Sequence, residues 1–95
     1  MESKSERIRK RINRLNELLA AEYKRIVIKD EICYVASDGT VFTLVGESGT
    51  FSAFLDYFPS VEDAKRGYWE DDGDWFDADL PDDEIMALFR AEIAG

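Results

Sequence analysis

At Tyr23 the spacing of apolar residues changes, and that change constrains the fold more than any other feature of the chain. Before it, Ile8, Ile12, Leu15, Leu18, Leu19 and Tyr23 recur at steps of three and four, which is the period of an amphipathic helix. Ser3, with Glu6 three places later, reads as a capping box at the start of that helix. After Tyr23 come three short β-branched and aromatic runs, Arg25 to Ile28, Ile32 to Ala36 and Val41 to Val45. Lys29, Asp30 and Glu31 separate the first two, and Ser37, Asp38, Gly39 and Thr40 the last two. An Asp-Gly pair between such runs is a strong hairpin signal. The pattern predicts an α+β domain: an N-terminal helix over one face of a three-stranded antiparallel meander, because a sheet with an apolar face must cover it.

The remainder of the chain predicts two or three short helices. Gly46 to Thr50 (GESGT) resembles a phosphate-cradling loop only in its glycines, since no Lys-Ser or Lys-Thr pair follows to reach a phosphate. It reads as a strand-to-helix connection with Thr50 as N-cap. Phe51, Phe54, Leu55 and Phe58 then have helical spacing, and Pro59 ends that helix. Ser60 and Asp63 form a second capping box for a helix reaching about Gly67. Pro81 suits the first position of a last helix, where Asp82, Asp83 and Glu84 would meet the positive end of the dipole. The expected core is Ile8, Ile12, Leu15, Leu19, Ile26, Ile28, Tyr34, Val41, Leu44, Phe54, Phe58, Leu88 and Phe89. With 95 residues, residues 1–95 are expected to form one domain with one modest core.

Charge narrows the function. The net charge is −9, which argues against direct contact with nucleic acid or an anionic membrane. It is unevenly spread: residues 1–29 hold nine basic and four acidic side chains, residues 30–61 five acidic and none basic, and residues 62–95 twelve acidic and three basic. Arg7, Lys10, Arg11 and Arg14 fall on the polar faces of the first helix, suited to water or to the protein's own acidic half. Cys33 is the only cysteine, so no internal disulfide can form, and its apolar neighbours suggest a core thiol. The charged first turns carry no apolar signal-peptide core, and no run approaches the ~20 apolar residues of a membrane span, so a cytoplasmic location is expected.

From Tyr68 to Glu84 the chain reads YWEDDGDWFDADLPDDE, with nine carboxylates, no base and two tryptophans. An EF-hand register with Gly73 at position 6 puts Tyr68 at position 1 and Asp79 at position 12, both wrong ligands. With no His and one Cys, zinc has no ligand set. No Ser-His or Cys-His pair exists for nucleophilic catalysis, and a sugar cleft for paired carboxylates exceeds a chain of this size. Neither an enzyme nor a cofactor is expected.

The helix dipole explains three of the nine acids. Glu70, Asp71, Asp72, Asp74, Asp77 and Asp79 remain, and packing like charges together disfavours the fold. If extended at ~3.3 Å per residue, the run carries one charge per ~5.5 Å, and if helical one per ~2.5 Å. A DNA strand carries one phosphate per ~3.4 Å. In an extended piece Asp72 with Asp74, and Asp77 with Asp79, point the same way. Such a row can stand in for phosphate before a protein that grips nucleic acid through Lys and Arg, and Trp69, Trp75 and Phe76 are candidate anchors.

The element order, the hairpin SDGTVFTLV and the run KRGYWEDDGDWFD resemble the small acidic anti-CRISPR proteins that inhibit type II effector nucleases. The resemblance covers most of the chain in element order and only a few turn, aromatic and acidic positions in identity. It implies a phage-encoded DNA mimic acting in a bacterial host cell, with Glu70, Asp71, Asp72 and Asp74 facing the arginines that read the protospacer-adjacent motif. The basic first helix and the Leu-Pro-Asp-Asp-Glu helix start depart from that family's pattern. The partner-binding set is then Trp69, Glu70, Asp71, Asp72, Asp74, Trp75, Asp77 and Asp79. Two alternatives stand beside it: an immunity- or antitoxin-like inhibitor of another basic protein, and a host protein-interaction domain.

Overall fold

The structure, a computed structural model, describes residues 1–68 and 71–95, and for Asp71 and Asp72 the backbone alone. Trp69 and Glu70, both in the expected partner-binding set, lie outside the described residues. The fold is α+β. Helix α1 (Lys4–Ala20) begins where the capping box places it, with the Ser3 hydroxyl accepting from the Glu6 N–H. Its apolar face buries Ile8, Leu15 and Leu19.

Strands β1 (Lys24–Ile28), β2 (Glu31–Val35) and β3 (Val41–Glu47) form the expected antiparallel meander. The first turn is two residues long: Lys29 and Asp30 both have positive φ, 52° and 65°, the backbone of a type I′ hairpin. In the second, Gly39 has φ 90° and the Asp38 carboxylate accepts from the Thr40 N–H.

The meander does not stop there. Residues Ser52–Phe58, expected to be helical, form strand β4, paired with β3 along its whole length from Val41 opposite Phe58 to Glu47 opposite Ser52. The 51–54–55–58 spacing satisfies a helix, but Ala53, Leu55 and Tyr57 also alternate, and the long register with β3 decides between the two. GESGT therefore runs from the last two residues of β3 into the tip of a β-hairpin, with no helix for Thr50 to cap. The Glu47 carboxylate takes the N–H groups of Gly49 and Thr50 and the Thr50 hydroxyl, and those bonds hold its carboxyl below the usual range. The donors a phosphate loop would offer are filled by the protein's own anion.

Helix α2 (Val61–Arg66) starts at the Ser60 cap and ends at Gly67, whose φ of 75° is the left-handed C-cap. The chain then returns along β4 as two short strands, β5 (Asp71–Asp72) and β6 (Phe76–Asp77). Asp72 lies opposite Asp56, and Asp77 opposite Ser52. Three residues, Gly73 to Trp75, thus face two, Phe54 and Leu55. That one-residue excess is a β-bulge on the sheet edge. Helix α3 (Asp82–Ala94) closes the chain; Pro81 stands at its N-cap, one position earlier than expected.

The two faces of the sheet are covered differently. Toward α1 and α3 lie Tyr34, Phe42, Ala53, Leu55, Ile85, Met86 and Phe89, all buried. Gly46 of β3 permits close approach of α1, since a Cβ there would sit 2.6 Å from Ile12 Cγ1. On the opposite face a smaller cluster of Ile28, Cys33, Val41 and Ala64 packs under α2, with Ile26 and Phe58 against it. Cys33 is buried there, as expected of a core thiol. Leu88, expected in the core, is 39% exposed, because Ile85, Met86 and Phe89 take the inward face of α3 instead.

Candidate functional site

The acidic segment meets two environments. Its C-terminal part is clasped by α1. Arg11, whose side chain is 18% exposed, donates Nε to the Ala78 carbonyl at 2.7 Å and Nη2 to the Leu80 carbonyl at 2.7 Å, and pairs through Nη1 with Asp82. Arg14 Nε reaches the other Asp82 oxygen at 3.1 Å. Arg7 pairs with Asp79 at 2.7 Å and lies 3.7 Å over the Phe51 ring, tying the β3–β4 tip to the same loop. The Arg11 hydrogen bond above all, then Arg14, holds the Asp82 carboxyl below the usual range. The basic face of α1 is thus directed at the protein's own acids. Asp79, expected to bind a partner, is engaged by Arg7.

The edge is different. Asp74 and Asp77 are exposed, and among the described residues neither is paired with a Lys or Arg. Trp75 between them is 55% exposed, its ring centroid 4.3 Å from that of Phe54. Phe76, the next residue, turns inward and meets Phe89 edge to face at 5.3 Å. Of the two aromatics, Phe76 belongs to the core and Trp75 to the surface. Asp77 and Asp79 do not form the expected extended pair: Asp77 Oδ1 accepts from the Asp79 N–H across a turn. Asp71 and Asp72 contribute backbone pairing to β4 opposite Tyr57 and Asp56.

What positions Asp74 and Trp75 is a residue that sequence reasoning did not single out. Glu92, on α3, accepts from the Asp74 N–H at 2.9 Å through one oxygen and from the Tyr57 hydroxyl at 2.5 Å through the other. Gly73 leaves room for it, since a Cβ there would fall 1.9 Å from Glu92 Oε1. The Gly73 N–H bonds to the Leu55 carbonyl at 2.7 Å. Burial first, then the Glu92 hydrogen bond and charge, raises the Tyr57 hydroxyl well above the ordinary tyrosine range. A carboxylate on α3 therefore latches the bulge in place. The only signal in the sequence was that Glu92 is an acid on a helix otherwise carrying its acids in the first turn.

Among the described residues no group of three or more His, Cys, Asp or Glu side chains could hold a metal ion, and no helix is long and apolar enough to cross a membrane. No protein-family model matches the chain, and no curated protein or solved structure matches it significantly.

Proposed function

We propose that this protein is a non-enzymatic acidic inhibitor that mimics nucleic acid and occupies the DNA-binding groove of a basic nucleic-acid enzyme, a CRISPR effector nuclease being the first to test. The observation that carries the reading is the division of the acidic segment. Three arginines are committed to Asp79 and Asp82, while Asp74 and Asp77 stand on a sheet edge on either side of an exposed tryptophan. Charges kept apart from a nearby supply of arginines remain available to someone else's. Asp71, Asp72, Asp74 and Asp77 supply the phosphate-like charge and Trp75 the anchor; Trp69 and Glu70 belong to the same run.

The test is a three-way competition between the protein, DNA and a panel of basic nucleases at two salt concentrations. Replacing Asp71, Asp72 and Asp74 by Asn together is expected to weaken binding about tenfold or more, and raising salt to weaken the unmodified protein as well. Trp75→Ala is expected to reduce affinity without unfolding. A partner that still grips DNA when saturated with the protein would overturn the mimicry and point to an immunity-like inhibitor.

A further inference from the structure

The sheet face opposite α1 and α3 is only half covered. Helix α2 packs over one end of it, on Val41 and Phe58. At the other end strand alternation brings Thr43 and Val45 of β3 and Phe54 and Asp56 of β4 to the same side. Trp75 extends this strip over the edge by its contact with Phe54. Among the described residues no helix covers it. Val45 and Phe54 are only half-buried and Trp75 is exposed.

One margin of the strip opens further. Strands β2 and β3 pair only at Tyr34 with Phe42 and Val35 with Val41, and beyond those pairs the Thr43 hydroxyl bridges to the Ile32 carbonyl at 2.8 Å. Where they part lies a cleft of about 470 Å³ lined by Asn16, Glu31, Thr43, Val45, Asp56 and Phe58 among others.

We propose that this uncovered half-face docks a basic amphipathic helix of the partner protein. The inference rests on the reading that the partner is basic, and adds where and in what form it is held. Three observations favour a helix of that charge. Val45, Phe54 and Trp75 span three neighbouring strand positions, about 10 Å at ~4.8 Å per strand, close to the ~10 Å diameter of a helix. The same face already receives one helix, α2. Residues 31–35, 41–47, 52–58 and 73–77 include no Lys or Arg, while Glu31 and Asp77 stand at the margins of the strip. Aliphatic residues of the incoming helix at i, i+3, i+4 and i+7 would lie on Val45 and Phe54. Its flanking Arg or Lys side chains would reach Asp77 on one side and the cleft beside Glu31 on the other.

The probe is a synthetic peptide of roughly 18 residues, five turns at ~3.6 residues per turn, with leucines on one face and arginines beside them. The control has the same composition, scrambled so that no leucine face forms. With the full isotope-labelled chain, amide shifts on adding the probe are expected to concentrate at Thr43, Val45, Phe54 and Asp56, and the scrambled peptide to bind about tenfold more weakly. Val45→Lys, checked for folding by circular dichroism, is expected to lower probe affinity about tenfold. Equal binding of both peptides, or shifts confined to residues 71–77, would overturn the inference and leave the mimicry standing. Conversely, shifts on the half-face together with a nuclease indifferent to the Asp71, Asp72 and Asp74 changes would overturn the mimicry alone. If Val45→Lys does not fold, the shift map on the unmodified chain decides.

Discussion

Asp74 and Asp82 are eight residues apart in one acidic segment, yet they belong to opposite kinds of surface. Asp82 sits under two arginines of α1, and Arg11 also takes two backbone carbonyls of the loop that precedes it. Asp74 offers its carboxylate to solvent while its N–H is held by another acid, Glu92. A count of charges along the chain treats the two alike. The fold does not, and the lesson is that acidity read from composition divides into charge spent on holding the loop and charge left outward.

The difference should be sharpest in stability. Arg11→Met removes a guanidinium that satisfies two carbonyls and Asp82 at once, so it is expected to cost about 2 to 3 kcal/mol, seen as a lower denaturant midpoint. If stability is unchanged, the clasp is not what secures this loop. Next in size is the latch. Glu92→Ala strips the Tyr57 hydroxyl and the Asp74 N–H of their partner and is expected to cost about 1 to 2 kcal/mol. It should also alter the Trp75 fluorescence, because the bulge that carries Trp75 loses its anchor. Should the fluorescence and partner binding both stay unchanged, the bulge is held by its pairing with β4 alone.

A third measurement uses acid. The Asp82 carboxyl titrates below its unfolded value, so its pairing stabilises the fold above about pH 4 and that contribution is lost as pH falls through the depressed folded pKa. The unmodified protein should lose stability on that descent more steeply than Arg11→Met, in which the main cause of the depression is gone. Parallel acid curves for the two proteins would show that the clasp contributes nothing specific to pH. The smallest effect is expected at the edge. Asp74→Asn with Asp77→Asn should change stability by no more than about 0.5 kcal/mol, and in the stabilising direction at low salt, since repulsion is relieved and no basic partner is lost. A clear loss of stability there would mean that the edge carboxylates serve the fold.

Much of the helical framework was legible because its signals are local. Ser3 with Glu6, Ser60 with Asp63, and the three-and-four spacing of Ile8, Leu15 and Leu19 each lie within a turn or two of what they specify. The Asp38–Gly39 hairpin was legible for the same reason. Strand β4 was not, because Phe51, Phe54, Leu55 and Phe58 suit a helix locally and only pairing with β3 makes them a strand. The signal that could have found it was the alternation of Ala53, Leu55 and Tyr57 with the β-favouring Phe and Tyr around them. The core lists differ accordingly, with Phe42, Leu55 and Ile85 buried and Leu88 outside. In the site, composition could not tell the exposed Trp75 from the inward Phe76, or the arginine-bound Asp79 from the outward Asp74, and the Glu92 latch joins residues 18 and 35 positions apart. Nothing local announces such a contact.

The bulge at Gly73 to Trp75 sets the phase of everything after it. The partner numbers of the edge strand shift by one between Asp72 opposite Asp56 and Asp77 opposite Ser52, and it is this shift that turns Phe76 to the core beside Phe89 and leaves Asp77 outside. Were the Asp72–Asp56 register continued unbroken through the same chain, Trp75 would fall opposite Ala53 on the core side and Phe76 opposite Ser52 on the outer side. The edge is therefore free in spelling and fixed in phase: its acids can be exchanged one by one, while closing the bulge without shortening the chain would exchange the places of Trp75 and Phe76.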